Sequence, residues 1–194
     1  MSSIDFRTPA AGFDQPLELW LACHDRVRRM CALLQRLLEH VRDSGVDEQA
    51  KVTAVSIRRY FDEAAPRHHE DEEVDLFPRL LARLEGRTES EAAGVRNAVA
   101  LLETDHREIG RLWSVLREAL NAIEGGDAGA FDEAVVALFV TRYRSHCEIE
   151  DTVIAPALRR ALPEQELEAV GRAMAQRRGV DWDEIAAPRG QPQR

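Results

Sequence analysis

The sequence predicts an all-α protein: an up-down-up-down four-helix bundle followed by a short C-terminal fifth helix. Three observations predict it. Long segments carry apolar residues at a helical period, no segment alternates with the period of a strand, and the chain repeats itself once around a His-x3-Glu pair. The repeat is long: 82 residues separate His24 from His106 and 78 separate His68 from His146. A doubled helical hairpin has such a spacing, whereas small solenoid repeats recur at much shorter intervals.

Composition sets the outer limits. The chain has 194 residues, enough for one substantial core, with 44% hydrophobic, 31% charged and only 6% aromatic residues. Its net charge of −9, with arginines interleaved among acids, argues against nucleic-acid binding, which needs clustered cations. No apolar run is long enough to span a bilayer, and the first residues, MSSIDFRTPAAGFDQP, lack an apolar signal core. Three cysteines, Cys23, Cys31 and Cys147, are odd in number and lack CxxC spacing, which fits reduced thiols. The expectation is a cytoplasmic protein with no membrane or nucleic-acid partner. Its oligomeric state is not legible.

The expected organisation is an N-terminal arm at 1–14, the bundle at 15–162, a C-terminal helix at 163–179 and a tail at 180–194. Asp14 as a cap and Pro16 in the first turn start the first helix, whose stripe runs Leu17, Trp20, Leu21, His24, Val27, Cys31, Leu34, Leu38 and Val41. After the loop DSGVD, a second helical pattern covers about 48–84. Pro66 and Pro78 interrupt it and predict kinks or breaks. Thr88 and Glu91 suggest a capping box for the third helix, which carries Val95, Val99, Leu102, His106, Ile109, Trp113, Leu116 and Leu120. The loop EGGDAGA leads to the fourth, through Phe131, Val135, Leu138, Phe139, Tyr143, His146, Glu150, Val153 and Ile154 to Pro156. The fifth helix is expected from Pro163 to Gly179.

The repeat carries the chemistry. HHEDEEVDLFPRL at 68–80 matches HCEIEDTVIAPAL at 146–158, and HDRVRRMCALL from His24 matches HREIGRLWSVL from His106. A histidine and a glutamate four residues apart share one helix face, so His68 with Glu72 and His146 with Glu150 each offer an imidazole and a carboxylate to one point. His24 and His106 face that point from the other two helices. A lone histidine on an apolar stripe is usually a core residue, and an uncompensated buried carboxylate is costly. Four histidines and two glutamates at matched positions are not an expected outcome of packing. The candidate metal ligands are therefore His24, His68, Glu72, His106, His146 and Glu150. Two carboxylates between two ions can bridge them, leaving each ion two histidines and at least one open position. Nitrogen and carboxylate donors without thiolates suit iron or manganese, with zinc as an alternative.

His69 with Glu73 has the same spacing, but aligning Pro78 on Pro156 selects His68 and Glu72. This alignment leaves His69 beside the site or solvated, and His40, which has no counterpart in the repeat, exposed.

These residues, His24, His68-x3-Glu72, His106 and His146-x3-Glu150, with Leu76-Phe77-Pro78 trailing the first pair, resemble the hemerythrin-like family with its HHE cation-binding domain. The resemblance covers about residues 17–160. It implies a four-helix bundle holding a non-haem di-iron centre bridged by the two carboxylates, with O2, NO or peroxide as ligand. The oxygen-carrying members have a fifth histidine where this chain has Gly110, and an aspartate five residues after its histidine where Glu150 here follows by four. The set looks more like the bacterial subset that includes iron-sulfur cluster repair proteins and peroxide-removing members, although the cysteine-bearing N-terminal domain of the repair proteins has no counterpart here.

The functional expectation is a protein with two iron ions that senses O2 or NO, holds iron or serves in an oxidative-stress response. The alternatives are a di-iron enzyme that removes H2O2 or reduces NO, and a helical scaffold with structural zinc. No catalytic residue is assigned. Tyr60, Tyr143, Glu70 and Glu148 are candidate proton donors by helical proximity, and Trp20 is a candidate lining for an access route.

Overall fold

A computed structural model describes residues 11–127, 129 and 131–183 of the chain. Residues 1–10 of the expected arm, 184–194 of the expected tail, and Ala128 and Ala130 of the glycine-rich loop lie outside the described residues. Helix α1 is Pro16–Ser44. Helix α2 runs without interruption over 48–83, as Glu48–Arg59, Tyr60–Ala64, Ala65–Glu70, Asp71–Leu76 and Phe77–Arg83. Helix α3 is Ser90–Glu124; α4 covers 133–161 as Glu133–Ile149, Glu150–Ile154 and Ala155–Ala161; and α5 is Glu164–Arg177. No strand occurs among the described residues. No helix among them is long and apolar enough to cross a membrane.

The prolines in the bundle do not break their helices. Tyr60–Ala64, Asp71–Leu76 and Glu150–Ile154 are π-helical turns, and Pro66, Pro78 and Pro156 follow each with one residue between. A proline cannot donate and its ring crowds the carbonyl one turn back. Here the residue before each proline donates one position further than in an α-helix: Ala65 to Tyr60, Phe77 to Glu72 and Ala155 to Glu150. The wider turn makes room for the ring, and the rod continues.

Capping also departs from expectation at two ends. Gln15, not Asp14, precedes α1, and Glu89, not Thr88, precedes α3; neither makes a side-chain cap. Asp47 and Asp132 do cap, accepting from the Ala50 and Ala134 amides at the starts of α2 and α4.

The apolar faces form two clusters. In the first, Val27–Val41 of α1 meets Ile57 and Phe61, Ile109–Ile123, and Val136–Cys147. In the second, Leu17 and Trp20 meet Leu76–Leu84, Ala92–Leu102, and Ile154–Leu162, with Val170 and Met174 added by α5. Along every bundle helix the boundary between the clusters falls at the histidines. The candidate site is thus a polar layer inside the bundle, closed at both ends by hydrocarbon. Leu138, expected on the buried stripe, is 51% exposed, whereas its neighbours Phe139 and Val140 are buried.

Helix α5 lies against α1 and the π-turn Asp71–Leu76. Arg177 pairs with Asp71, with Asp75 at 2.8 Å and with Glu70 at 3.1 Å, while Arg178 reaches Asp71 at 2.6 Å. Asp71 and Asp75 are both buried, so these guanidinium groups compensate carboxylates that would otherwise be costly to bury. Gly171 permits close approach of the preceding chain: a Cβ there would stand 2.1 Å from the Phe13 carbonyl oxygen.

Candidate metal centre

The six residues selected from the repeat converge in the polar layer. His24, Glu72 and Glu150 are fully buried, and His68, His106 and His146 nearly so. Each imidazole Nε2 lies near a glutamate oxygen. His68 is 2.9 Å from Glu72 Oε1 and His106 is 3.2 Å from Glu72 Oε2. His146 is 3.4 Å from Glu150 Oε1 and His24 is 3.3 Å from Glu150 Oε2. Each carboxylate therefore spans two histidines from different helices, one oxygen to each.

Several of these contacts are not hydrogen bonds despite their length. His24 Nε2, Glu72 Oε2 and both Glu150 oxygens are buried without a hydrogen-bond partner. Natural proteins seldom bury so many polar atoms unpaired in one place. Donor atoms that converge on a common point, instead of on one another, have this geometry. Two groups of ligand atoms lie within 4.8 Å of one another: His24, His68, Glu72 and Glu150 in one, and His69, Glu72, His106 and His146 in the other.

The model of the hemerythrin HHE cation-binding domain matches residues 15–158 of the chain. The chain belongs to the hemerythrin HHE family. An uncharacterized protein of Haemophilus influenzae is 28% identical over 170 residues, which cover 88% of this chain and 94% of that protein. The hemerythrin-like domain is a cation-binding domain, and its His/Glu clusters provide sites suited to a metal.

Beyond the six residues, the hemerythrin-like site has an outer layer that the sequence reading missed. His24 Nδ1 donates to Asp151 at 2.6 Å, and His106 Nδ1 donates to Glu73 at 2.6 Å. Carboxylates in this position fix the ring and its tautomer, leaving the Nε2 lone pair directed inward. The two acids are equivalent in the repeat: Glu73 follows Glu72, and Asp151 follows Glu150. An acid after each of the two aligned glutamates was the available signal. Arg28 in turn pairs with Asp151. Cys23 and Asp105, each preceding a lone histidine, adjoin His68 and His146 respectively, Asp105 at 3.9 Å from His146 Nδ1.

Trp20, the candidate lining for an access route, stands against Glu72. It is fully buried, and its Nε1 donates to Glu72 Oε1 at 2.6 Å. His40 is half-buried and paired with Asp47 at 3.1 Å. Of the four candidate proton donors, Tyr143 stands nearest the site, its hydroxyl 3.5 Å from His69 Nε2, while Tyr60 donates to the Cys23 carbonyl at 3.5 Å. Glu70 pairs with Arg177 and Glu148 is exposed, so neither lies at the centre. Gly110 is exposed, and an added Cβ would meet nothing within 4 Å.

The charges of the metal-free layer are strongly coupled. Burial opposes an imidazolium at His146, but the Glu150 charge and Asp105 outweigh it and raise its pKa to about 10. Burial likewise opposes charging His68 and His106, and Glu72 with its neighbours raises both. Glu72 is pushed well below the usual carboxylate range, because the histidines, His68 foremost, outweigh its burial. His69 goes the other way: burial and then the His106 charge depress it well below the ordinary value. Burial raises the Cys31 thiol to about 12 and raises Cys147 as well, which keeps both protonated and poor ligands.

Proposed function

We propose that the chain is a non-haem di-iron protein that binds a small diatomic or peroxide ligand, O2, NO or H2O2, in the buried layer. His24 and His68 would hold one ion and His106 and His146 the other, with Glu72 and Glu150 as the carboxylates shared between them. The observation that carries this reading is the set of orphaned buried atoms on His24, Glu72 and Glu150, facing one another across the bundle. Nitrogen and carboxylate donors with no thiolate among them suit iron, with manganese or zinc as competitors. When bound, an iron pair supplies Lewis-acid and one-electron redox chemistry.

The protein's own groups then have definable tasks. Asp151 and Glu73 hold the protons on His24 and His106 Nδ1 and so keep their Nε2 atoms available. Trp20 fixes the carboxylate plane of Glu72. The two apolar clusters exclude bulk water from either end, which favours small ligands, and weakly hydrated O2 and NO over well-hydrated H2O2. The exposed Glu73 and the partly exposed Asp151 reach the layer only at the outer Nδ1 atoms of His106 and His24, and Tyr143 is the one hydroxyl beside its histidines among the described residues, a limited proton supply at the centre itself. This scarcity favours sensing or iron holding over rapid turnover.

Anaerobic loading with Fe(II), iron counting, and optical spectra after separate additions of O2, NO and H2O2 test the proposal. Two irons per chain, a stable nitrosyl and slow oxidation are expected. Rapid catalytic loss of H2O2 would transfer the assignment to a peroxide-removing enzyme, and a chain that takes up zinc but no iron would reduce the centre to a structural site.

A further inference from the structure

Five aromatic side chains join into one group on one side of the polar layer. The chain has only two tyrosines and three tryptophans, and both tyrosines and Trp113 are in this group, with Phe61 and Phe139 among them. Tyr143 is buried and touches the layer: its ring centroid is 6.0 Å from that of His69 and 6.2 Å from that of His146, and its hydroxyl is 3.5 Å from His69 Nε2. Phe61 and Phe139 pack on it at 5.5 and 5.0 Å, and both also pack on Trp113, at 5.0 and 6.0 Å. Trp113 is half-buried on α3, and its Nε1 donates to Asp62 at 3.0 Å. Contiguous rings thus lead from the histidines to solvent. On the opposite side Trp20 and Phe77 touch the histidines, but both are buried, and no ring contact leads outward from either among the described residues.

The metal repeat does not account for this group. Phe61 and Phe139 are repeat equivalents, but Tyr60, Asp62, Trp113 and Tyr143 align with Leu138, Val140, Cys31 and Ala65. The π-turn Tyr60–Ala64, which carries Tyr60, Phe61 and Asp62, has an α-helical counterpart in α4. Packing by itself asks only for apolar bulk of the right size. Phenol and indole also give up one electron more readily than other side chains apart from thiols, and the phenylalanines hold the two within a short electron-transfer distance of each other.

We infer that Tyr143 and Trp113 form a radical relay that moves the oxidising equivalents of H2O2 from the buried layer to the surface beside Asp62. This inference rests on the iron reading above. With the iron pair already ferric, H2O2 in the layer takes two electrons and two protons and leaves as two waters. One electron comes from Tyr143, whose O–H bond breaks, and its proton enters the layer along the contact to His69 Nε2. The other comes from Trp113 by way of Tyr143, and the indole N–H proton passes to Asp62 while solvent supplies the second proton of the waters. Two one-electron reductants of the ascorbate class, acting at the surface with two protons, restore the phenol and the indole. The relay spares the ligand histidines from oxidation by peroxide that enters the layer.

The test uses the full chain, loaded with Fe(II), its iron counted, oxidised in air and frozen at intervals after H2O2 is added. EPR is recorded on protein grown with ring-deuterated tyrosine or with ring-deuterated tryptophan. The expected result is an organic-radical signal whose hyperfine structure narrows with each label and which ascorbate abolishes. Trp113→Phe should lose the tryptophan component alone, Tyr143→Phe should lose both, and Tyr60→Phe neither. In Tyr143→Phe, peptide mass spectrometry should find oxidised histidine in the layer instead. Bound iron with no radical, a radical that neither label alters, or a signal unchanged in Tyr143→Phe would overturn the relay and leave the iron reading intact. A chain that binds no iron would overturn both. The labels are read on the unsubstituted chain, so the outcome does not depend on a variant folding.

Discussion

The two halves of the site are alike in what faces the centre and unlike in what surrounds it. Each contributes a lone histidine, a His-x3-Glu pair and an acid that holds the opposite lone histidine: Glu73 for His106 and Asp151 for His24. Around that shared frame the residues differ. Trp20 bonds Glu72, and its repeat counterpart is Leu102, which has no polar hydrogen to donate to Glu150. Asp105 adjoins His146 where Cys23 adjoins His68. The second π-turn of α2 carries Asp71 and Asp75, clamped by α5, where the equivalent positions of α4 are Ile149, just before its π-turn, and Val153, within it. The lesson is that duplication supplies matched donors, and the divergent neighbours are free to make the two donor groups inequivalent.

The frame is broken most completely through a residue of the first half that faces histidines of both. Glu72→Ala removes a carboxylate that faces His68 with one oxygen and His106 with the other, and we expect both metal ions to be lost. Full occupancy by metal analysis would show that Glu72 is not the bridge. The α5 clamp tests the asymmetric surroundings. Arg177→Ala with Arg178→Ala leaves Asp71 buried without a cation, and destabilisation of about 3–5 kcal/mol is expected in denaturant unfolding. A loss below about 1 kcal/mol would mean that solvent reaches the pair.

The matched acids sharpen the symmetric part. Asp151→Asn and Glu73→Gln should each weaken metal binding by about 10–100-fold in chelator competition, and by similar factors. Widely different factors would place the functional asymmetry in this outer layer. A smaller effect is expected from Trp20→Phe, which deletes one hydrogen bond to a charged group, worth about 1.5–3 kcal/mol, in one half only. Its signature is destabilisation of the metal-free protein while two ions still bind.

The last test is of proton linkage. His146, raised from 6.5 to about 10, is protonated near neutrality in the metal-free protein, and a ligand nitrogen must be free of its proton. Loading should therefore release protons, detected by calorimetry in buffers of different ionisation enthalpy, and affinity should rise with pH through that window. The same raised value stabilises the metal-free fold fully below pH 6.5, and that contribution is lost as the pH rises through about 10. Affinity that does not change between pH 7 and 9 would contradict the assignment of His146.

What the sequence determined by itself was whatever depends on spacing along one helix. The all-α class, the placement of the bundle helices and the convergence of His68 with Glu72 and His146 with Glu150 follow from a 3.6-residue period, a property of the local backbone. The doubling identified His24 and His106 because the repeat counts them twice. The tertiary structure alone decided relations between helices: that Asp151 reaches back to His24, that Trp20 turns its indole N–H to Glu72, and that His69 stacks on His106. Those relations depend on how far each helix is rotated about its own axis. Each π-turn inserts a residue into that rotation, and a proline in the sequence marks the place but not the answer. Packing of the two apolar clusters fixes the rotation, so a histidine that local spacing sets aside can still lie in the metal layer.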